Sequence, residues 1–261
     1  MDPDLEARLT AAGLDPTDFG DPREAWLRLS AVFGPRATLL DRYALEAAAR
    51  GVQIEGLPAA DRRRMALEVL QSRDPGLELA GSGRGDPIEV VPYDPAWRDA
   101  FARWRERLAA ALGALAVRIE HIGSTSVPGL AAKPVIDVQV SVPDVENEAA
   151  FLPAIEGLGI ALRSRETGHR YFRPGPGLPR DVQIHVWQAG GELGRVHLLF
   201  RDYLRAHAEA RDAYAAVKME AARAYRDDRI AYNEAKSSFI LDTLEVAERW
   251  AAATGWSPGQ S

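Results

Sequence analysis

The run from Glu120 to Val140, EHIGSTSVPGLAAKPVIDVQV, constrains the fold of this chain most, because two strand patterns flank a glycine turn in it. Segment 117–121 alternates apolar and charged residues, and segment 134–142 (PVIDVQVSV) is a more apolar strand. Gly123 lets the backbone approach a ligand closely. The turn continues with three hydroxyl residues, Ser124, Thr125 and Ser126. The run therefore predicts a sheet with a ligand-binding turn between two strands.

Strand and helix patterns alternate through the rest of the chain from residue 88 onward. A helix is expected to open at Asp94-Pro95, with Trp97, Phe101 and Trp104 on one apolar stripe. The further predicted strands are 88–91, 160–165, 170–173 and 182–187, and the further predicted helical segments are 146–158 and 194–253, the last with a break near Asp227-Asp228. This order predicts an α/β (α+β) domain.

The residues before this domain have a different pattern. Residues 1–75 show apolar side chains at three- and four-residue spacings, as at Trp26, Leu29 and Phe33, which predicts a small all-α domain of unknown role. Residues 76–87 are rich in glycine and are predicted to form a flexible linker. We expect the main domain to span 88–253, followed by a short tail over 254–261.

Composition excludes several classes of site. The 261 residues include no cysteine, so disulfides, thiolate zinc sites and cysteine nucleophiles are excluded, and any metal must bind oxygen or imidazole. The formal net charge of −6 does not favour a nucleic-acid partner. The acidic first residues do not resemble a signal peptide, and no stretch approaches the roughly 20 apolar residues that cross a bilayer. We therefore expect a cytoplasmic protein without a membrane partner.

The turn from Gly123 to Ser126 and the strand after it suggest phosphate chemistry. Such a turn can direct N–H groups and hydroxyls at a phosphate, and Lys133 adds a mobile positive charge. Asp137 lies inside an apolar strand, where its charge needs a cation. A magnesium ion between Asp137 and nucleotide phosphates would supply that cation. Two structural alternatives stay open, a simple turn at Gly123 and an ion pair between Asp137 and Lys133.

The string EHIGSTSVPGLAAKPVIDV resembles the signature of the GrpB family. Further agreement in order and spacing comes from VPYDPAW at 91–97, IHVW at 184–187, LLFRDYLRAH at 198–207, Tyr214 with Lys218, and Tyr232 with Lys236. The resemblance covers about two thirds of the chain and leaves the N-terminal segment outside. It implies a nucleotidyltransferase-like mixed sheet flanked by helices.

The chain departs from the nucleotidyltransferase pattern at one position. That pattern has a second carboxylate two residues after the first, whereas Gln139 follows Asp137 here. Asp181, Gln183 and His185 share one face of a later strand, because side chains alternate with period two. His185 is a candidate catalytic residue beside Asp137, and Asp181 is a candidate metal ligand. For Glu120, metal ligation and a salt bridge both stay open.

Three basic residues elsewhere are candidate nucleotide-binding groups. Arg170 belongs to a basic cluster in a strand, for which a solvated edge is the alternative. Lys218 and Lys236 each follow a tyrosine by four residues, so each lysine shares a helix face with its tyrosine. For these lysines a pocket-facing position and a solvated one are both open.

These observations predict a magnesium-dependent nucleotidyltransferase-like enzyme. It would transfer a nucleotidyl or phosphoryl group from a nucleoside triphosphate to an unknown small-molecule or macromolecular acceptor. The alternative is a non-catalytic nucleotide- or anion-binding module that retains the fold, which Gln139 favours. The sequence leaves the acceptor, the preferred base and the oligomeric state open.

Overall fold

A computed structural model of the chain describes residues 87–166, 168–175 and 177–259. The predicted N-terminal helical domain (1–75) lies outside these residues, as do the linker (76–87) apart from Pro87 and the last two residues of the tail. The elements in chain order are α1 (Ala96–Leu112), β1 (Arg118–Ile122), β2 (Ile136–Val142), α2 (Glu148–Glu156), β3 (Ile160–Glu166), β4 (His169–Pro174), β5 (Val182–Gln188), α3 (Glu192–Ala206), α4 (Ala208–Ala224), α5 (Arg229–Glu234) and α6 (Ser237–Thr254).

Five strands form one sheet in the order β1-β2-β5-β4-β3. Only the pair β2 and β5 is parallel among these five strands, and the three other pairs are antiparallel. The sheet is therefore mixed and flanked by helices, which confirms the fold class predicted from the sequence.

One face of the sheet is apolar and packs against α1 and α2. Trp97, Leu108 and Leu112 form the buried stripe of α1, and they meet Val138 and Val140 of β2 in one core. Each large apolar side chain that is fully buried in this way contributes about 1.5 to 3 kcal/mol to folding. Packing against α1 and α2 therefore fixes the position of the sheet, and the polar side chains lie on the opposite face.

The opposite face carries polar and ionisable side chains in register. Glu120 of β1 lies beside Gln139 of β2, which lies beside His185 of β5. In the next row toward the start of β2, Ile122 lies beside Asp137, which lies beside Gln183. The C-terminal helices pack over this face, through a second apolar cluster that includes Leu199, Tyr203, Tyr214 and Leu244.

The structure corrects one predicted element and confirms a predicted helix break. The predicted strand 88–91 is not a strand, because Val91 makes an isolated bridge to Ala132 and Ile88 donates its N–H to the carbonyl of Arg226 instead. The predicted break near Asp228 is confirmed, since its carboxylate accepts the N–H of Ala231 at 2.9 Å and caps α5. The segment breaks again at His207, whose backbone is extended between α3 and α4.

None of the described helices is both long enough and apolar enough to cross a membrane.

Candidate functional site

The glycine turn and the aspartate meet at the edge of the sheet where the parallel strands begin. Because β1 is antiparallel to β2, the end of β1 lies beside the start of β2, with Ile122 opposite Asp137. A Cβ atom on Gly123 would lie 2.1 Å from Oδ2 of Asp137, and Gly123 has a φ of +68°. Glycine is therefore required here both by backbone conformation and by the contact with the carboxylate.

The hydroxyls of the turn have different surroundings. The Ser126 hydroxyl donates to the carbonyl of Gly123 at 2.6 Å, and the Thr125 hydroxyl donates to the carbonyl of Val135 at 3.2 Å. Both side chains are buried, so these hydroxyls stabilise the turn itself. Ser124 is half-buried and shares a hydrogen bond with Tyr214 of α4. Of the three predicted phosphate-binding hydroxyls, Ser124 is the one placed beside other candidate site residues.

Three lysines surround Asp137, and we call these four residues, Lys133, Lys218, Lys236 and Asp137, the lysine cluster. Each of the three ammonium groups acts on the ionisation of the Asp137 carboxyl. They come from three separate segments, namely the loop before β2, helix α4 and the start of α6. The sequence contains only these three lysines, alongside 29 arginines.

Aromatic rings and a backbone carbonyl hold the lysines. The Lys218 ammonium lies 4.7 Å from the ring centroid of Tyr214 and donates to the carbonyl of Ala131. The Tyr232 ring has the Lys236 ammonium at 4.2 Å and the Lys133 ammonium at 5.2 Å from its centroid. Lys218 thus shares a face of α4 with Tyr214, as the spacing predicts. Tyr232 lies in α5 and Lys236 in the turn after it, so this second pair is in contact without sharing a helix face.

Burial shifts the ionisation of the cluster. Burial raises the pKa of Asp137 to about 6, although Lys133, Lys236 and Lys218 oppose the shift. Burial lowers the pKa of Lys218 and of Lys236 to about 7, with a further lowering from neighbouring lysines. The pKa of Lys133 is also lowered, first by burial and then by Arg229. Asp137, Lys218 and Lys236 therefore exchange protons near neutral pH, as functional groups commonly do.

The charges of the lysine cluster fit an anion better than the predicted magnesium ion. Three ammonium groups face one carboxylate, so a cation placed there would be repelled. In the described part of the chain, no three His, Asp or Glu side chains are grouped so that they could hold a metal ion. The described residues around Asp137 therefore do not fit the predicted magnesium site.

The predicted metal ligand Glu120 belongs to a second charged group on the same face. Its carboxylate accepts from Arg201 at 2.9 Å, and Arg201 also binds Asp202 at 2.7 Å. Arg205 binds Asp202 at 3.3 Å and donates twice to the carbonyl of Ser126, at 2.8 and 3.1 Å. We call Glu120, Arg201, Asp202 and Arg205 the arginine network. It ties α3 to β1 and to the glycine turn.

Two further predicted residues lie apart from the lysine cluster. Arg170 aligns with Val186, on the face opposite Asp137, and its guanidinium binds Glu146 and Glu148. Asp181 is exposed and lines a cavity of about 300 Å³ against Trp97 and other residues of α1. The geometry does not support Arg170 as a phosphate ligand or Asp181 as a metal ligand beside Asp137.

His185, the second predicted catalytic residue, belongs to an aromatic group further along the strand. Its Nδ1 lies 3.1 Å from Nε2 of His169, and its ring is 6.3 Å from that of His197. Burial holds the pKa of His185 well below its usual range, with both histidines adding to the effect. Its imidazole is therefore neutral and a weak base.

Gln139 has a structural role that a carboxylate would not fill. It is buried, and its amide nitrogen donates to the carbonyl of Gly194 at 3.2 Å. A carboxylate at this position would face that carbonyl oxygen without a hydrogen to share. The second carboxylate of the nucleotidyltransferase pattern is thus replaced by a donor that anchors α3.

Part of the site could not be predicted from the sequence. Tyr214 and Tyr232 were visible only as partners in the four-residue spacing, and no pattern indicated that they would hold lysines from separate segments. Arg205 lies 79 residues from the Ser126 carbonyl that it binds. The one signal available was the presence of only three lysines in the sequence.

Several known proteins are similar to this chain. The model of the family described as GrpB protein matches residues 87–246. A UPF0157 protein of Streptomyces coelicolor is 44% identical over 165 residues, which cover 63% of this chain and 87% of that protein. A UPF0157 protein of Halalkalibacterium halodurans is 40% identical over 164 residues, 61% of this chain and 82% of that one.

A solved structure and one larger protein are also similar. The crystal structure of the conserved protein GrpB from Enterococcus faecalis matches with a TM-score of 0.57 and 34% identity, covering 62% of this chain and 99% of that chain. A dephospho-CoA kinase of Mycolicibacterium paratuberculosis is 34% identical over 200 residues, which cover 66% of this chain and 49% of that enzyme.

Proposed function

The chain belongs to the GrpB protein family, and we propose that its domain binds the phosphate groups of a nucleotide in the lysine cluster. The observation that carries this proposal is the convergence of all three lysines of the sequence on one carboxylate. A phosphate group would balance the excess positive charge of this cluster.

The three basic residues around Asp137 are lysines and not arginines, which supports a site that takes up protons. Arginine stays charged under all ordinary conditions, whereas a buried lysine changes its pKa readily. The pKa of Lys218 and of Lys236 is lowered to about 7. An anion beside them would raise both pKa values, so phosphate binding is expected to be coupled to proton uptake. The hydroxyl of Ser124, which follows Gly123 in the turn, would donate an uncharged hydrogen bond to the phosphate.

The relatives support a phosphorylated ligand in general terms. One relative is named as a dephospho-CoA kinase, and the match covers about half of that enzyme. That name describes the whole enzyme, of which the match covers 49%. It is consistent with a domain that works beside nucleotide chemistry.

Transfer of a nucleotidyl or phosphoryl group is the second candidate function, and the ionisation of Asp137 favours it. With a pKa of about 6, this carboxylate is suited to accept a proton at neutral pH. An acceptor hydroxyl would lose its proton to Asp137 while its oxygen bonds to phosphorus. The bond from phosphorus to the leaving group breaks, which releases pyrophosphate in nucleotidyl transfer and the nucleoside diphosphate in phosphoryl transfer. This step makes Asp137 the catalytic residue and gives His185 no proton to transfer.

Calorimetric titration with each of the four common nucleoside triphosphates tests the first proposal. We expect binding in a buffer with EDTA, loss of binding in Lys236→Met, and unchanged binding in the control Arg105→Gln, whose exposed side chain lies on α1. Binding that requires magnesium, or that Lys236→Met leaves intact, contradicts the assignment of the site.

A transfer assay separates the two functions. The protein is incubated with magnesium, a triphosphate labelled on the base or γ-phosphate, and cell-extract small molecules. Pyrophosphate release or labelled product that Asp137→Asn abolishes, while triphosphate binding persists, supports transfer by Asp137. Turnover that survives Asp137→Asn excludes Asp137 as the base, and binding without any turnover supports the non-catalytic module.

A further inference from the structure

A second cavity adjoins the lysine cluster at the same edge of the sheet. It measures about 210 Å³ and is lined by residues that precede β2 and β5 and by the start of α5. Lys133 belongs both to this cavity and to the cluster, because its ammonium also acts on Asp137. The two sites therefore share one side chain.

The lining of this cavity carries an excess of positive charge. Three arginines join Lys133, and Glu89 is the one acidic residue among the lining residues. The arginines are Arg173 at the end of β4, Arg180 in the loop before β5, and Arg229 at the start of α5. The positive charge of Arg229 reaches Lys133, since it lowers the pKa of that lysine. Arginine guanidinium groups bind phosphate oxygens with two parallel hydrogen bonds.

The lining also includes a neutral group placed toward the cluster. Gln183 is the register partner of Asp137 across β2 and β5, and its side chain is half-buried. This amide is an uncharged hydrogen-bonding group in the lining, on the strand position beside Asp137.

We infer that the arginine-lined cavity is a second phosphate-binding subsite, so that the domain takes a ligand with at least two anionic groups. This inference rests on the proposed phosphate binding in the lysine cluster. The first phosphate group would lie among the three lysines, and the second would lie between Lys133 and the arginines. Because Lys133 belongs to both sites, a polyphosphate chain on one molecule would contact both. A separate phosphorylated molecule in the second cavity is the other source of the same chemistry.

Titration with orthophosphate and tripolyphosphate tests the subsite directly. The test variant is Arg180→Gln, because Arg180 is exposed and its replacement does not disturb the core. The matched control is Arg105→Gln on α1, which lies against the apolar face of the sheet. We expect wild-type protein and control to bind tripolyphosphate more tightly than orthophosphate, and Arg180→Gln to lose about threefold to tenfold in tripolyphosphate affinity alone.

The outcomes separate the subsite from the proposed function. Equal tripolyphosphate affinity in wild type and Arg180→Gln overturns the subsite, while retained orthophosphate binding still supports the lysine cluster. Two orthophosphate ions per chain, with the second lost in Arg180→Gln, support the subsite and indicate a separate phosphorylated molecule. If neither ion binds the wild type, both the subsite and the proposed function are overturned.

Discussion

The arginine network and the lysine cluster lie on the same polar face of the sheet and differ in charge balance. The network has two cations and two carboxylates, and Arg201 alone bonds to Asp202, to Glu120 and to the carbonyl of His121. The lysine cluster has three cations and one carboxylate. The balanced group has its charges satisfied within the fold, whereas the unbalanced group keeps an excess of positive charge, which the proposed phosphate ligand would balance.

This difference indicates which buried charges serve stability and which serve binding. A fully paired buried network fixes the position of α3 against the glycine turn. An unbalanced cluster destabilises the fold near neutral pH, and such a cost is typical of functional sites. Substitutions in the two groups should therefore change stability in opposite directions.

The largest expected effect is the loss of stability in Arg201→Met. This change leaves the Asp202 and Glu120 carboxylates without their main partner, and Asp202 is only 4% exposed. We expect the free energy of unfolding in urea to fall by about 3 to 5 kcal/mol. The control is Arg195→Met, which breaks the partly exposed pair with Glu248 and should cost less than about 1 kcal/mol. Equal losses in both variants would argue against a special role of the network.

Gly123→Ala is expected to destabilise the fold by about 2 kcal/mol, since a new Cβ would meet Oδ2 of Asp137 at a φ that alanine rarely adopts. The control Gly190→Ala has a φ of +76° and no atom within 4 Å of the added Cβ, so it isolates the backbone cost. Urea denaturation measures both. A loss in Gly123→Ala no larger than in Gly190→Ala would show that the turn does not press on Asp137.

Lys236→Met should stabilise the protein while it abolishes phosphate binding. The pKa of Lys236 is lowered from 10.5 to about 7, so its contribution to stability is present above pH 10.5 and is lost as the pH falls through 7. Removal of this lysine is expected to raise the free energy of unfolding by about 1 kcal/mol at pH 6, with no gain near pH 10.5. Urea denaturation at both pH values checks the sign. A less stable variant at pH 6 would mean that the lysine is compensated in the free protein.

The smallest expected effect is a pH dependence of anion affinity. As the pH rises from 5 to 8, Asp137 becomes charged with a pKa of about 6, and Lys218 and Lys236 lose protons with a pKa of about 7. Both changes weaken anion binding, by about threefold to tenfold in all. Calorimetry with sulfate, whose charge is constant across this range whereas phosphate itself loses a proton, measures the trend, and Lys236→Arg should flatten it because arginine keeps its proton. Affinity that rises with pH would contradict the charge assignment.

The sequence predicted the sheet because strands depend on local patterns. Alternation and apolar runs located all five strands of the sheet. The glycine turn was predicted to approach a ligand, and the structure shows that Gly123 also approaches the Asp137 carboxylate, a contact between two strands that no local pattern indicates. The segment 88–91 was wrongly predicted as a strand, since its residues show the pattern but meet a loop and a helix end instead of a neighbouring strand.

The site was predicted less completely because it depends on register and on contacts between distant segments. The strand β4 pairs with β5 so that Arg170 lies opposite Val186. This register directs Arg170 to Glu146 and Glu148, and no sequence pattern fixes it. Glu120 was open between a metal and a salt bridge, and the deciding partner, Arg201, lies 81 residues away.

The lysine cluster is proposed to bind a phosphate-bearing ligand. Carbon-13 NMR of the three lysine side chains, assigned with Lys236→Met and titrated with and without tripolyphosphate, tests this proposal at the atoms involved. Two lysines should titrate with a pKa of about 7 in the free protein, and both values should rise on saturation with the ligand. Lysines that titrate at their ordinary pKa, or that do not respond to the ligand, would contradict the claim.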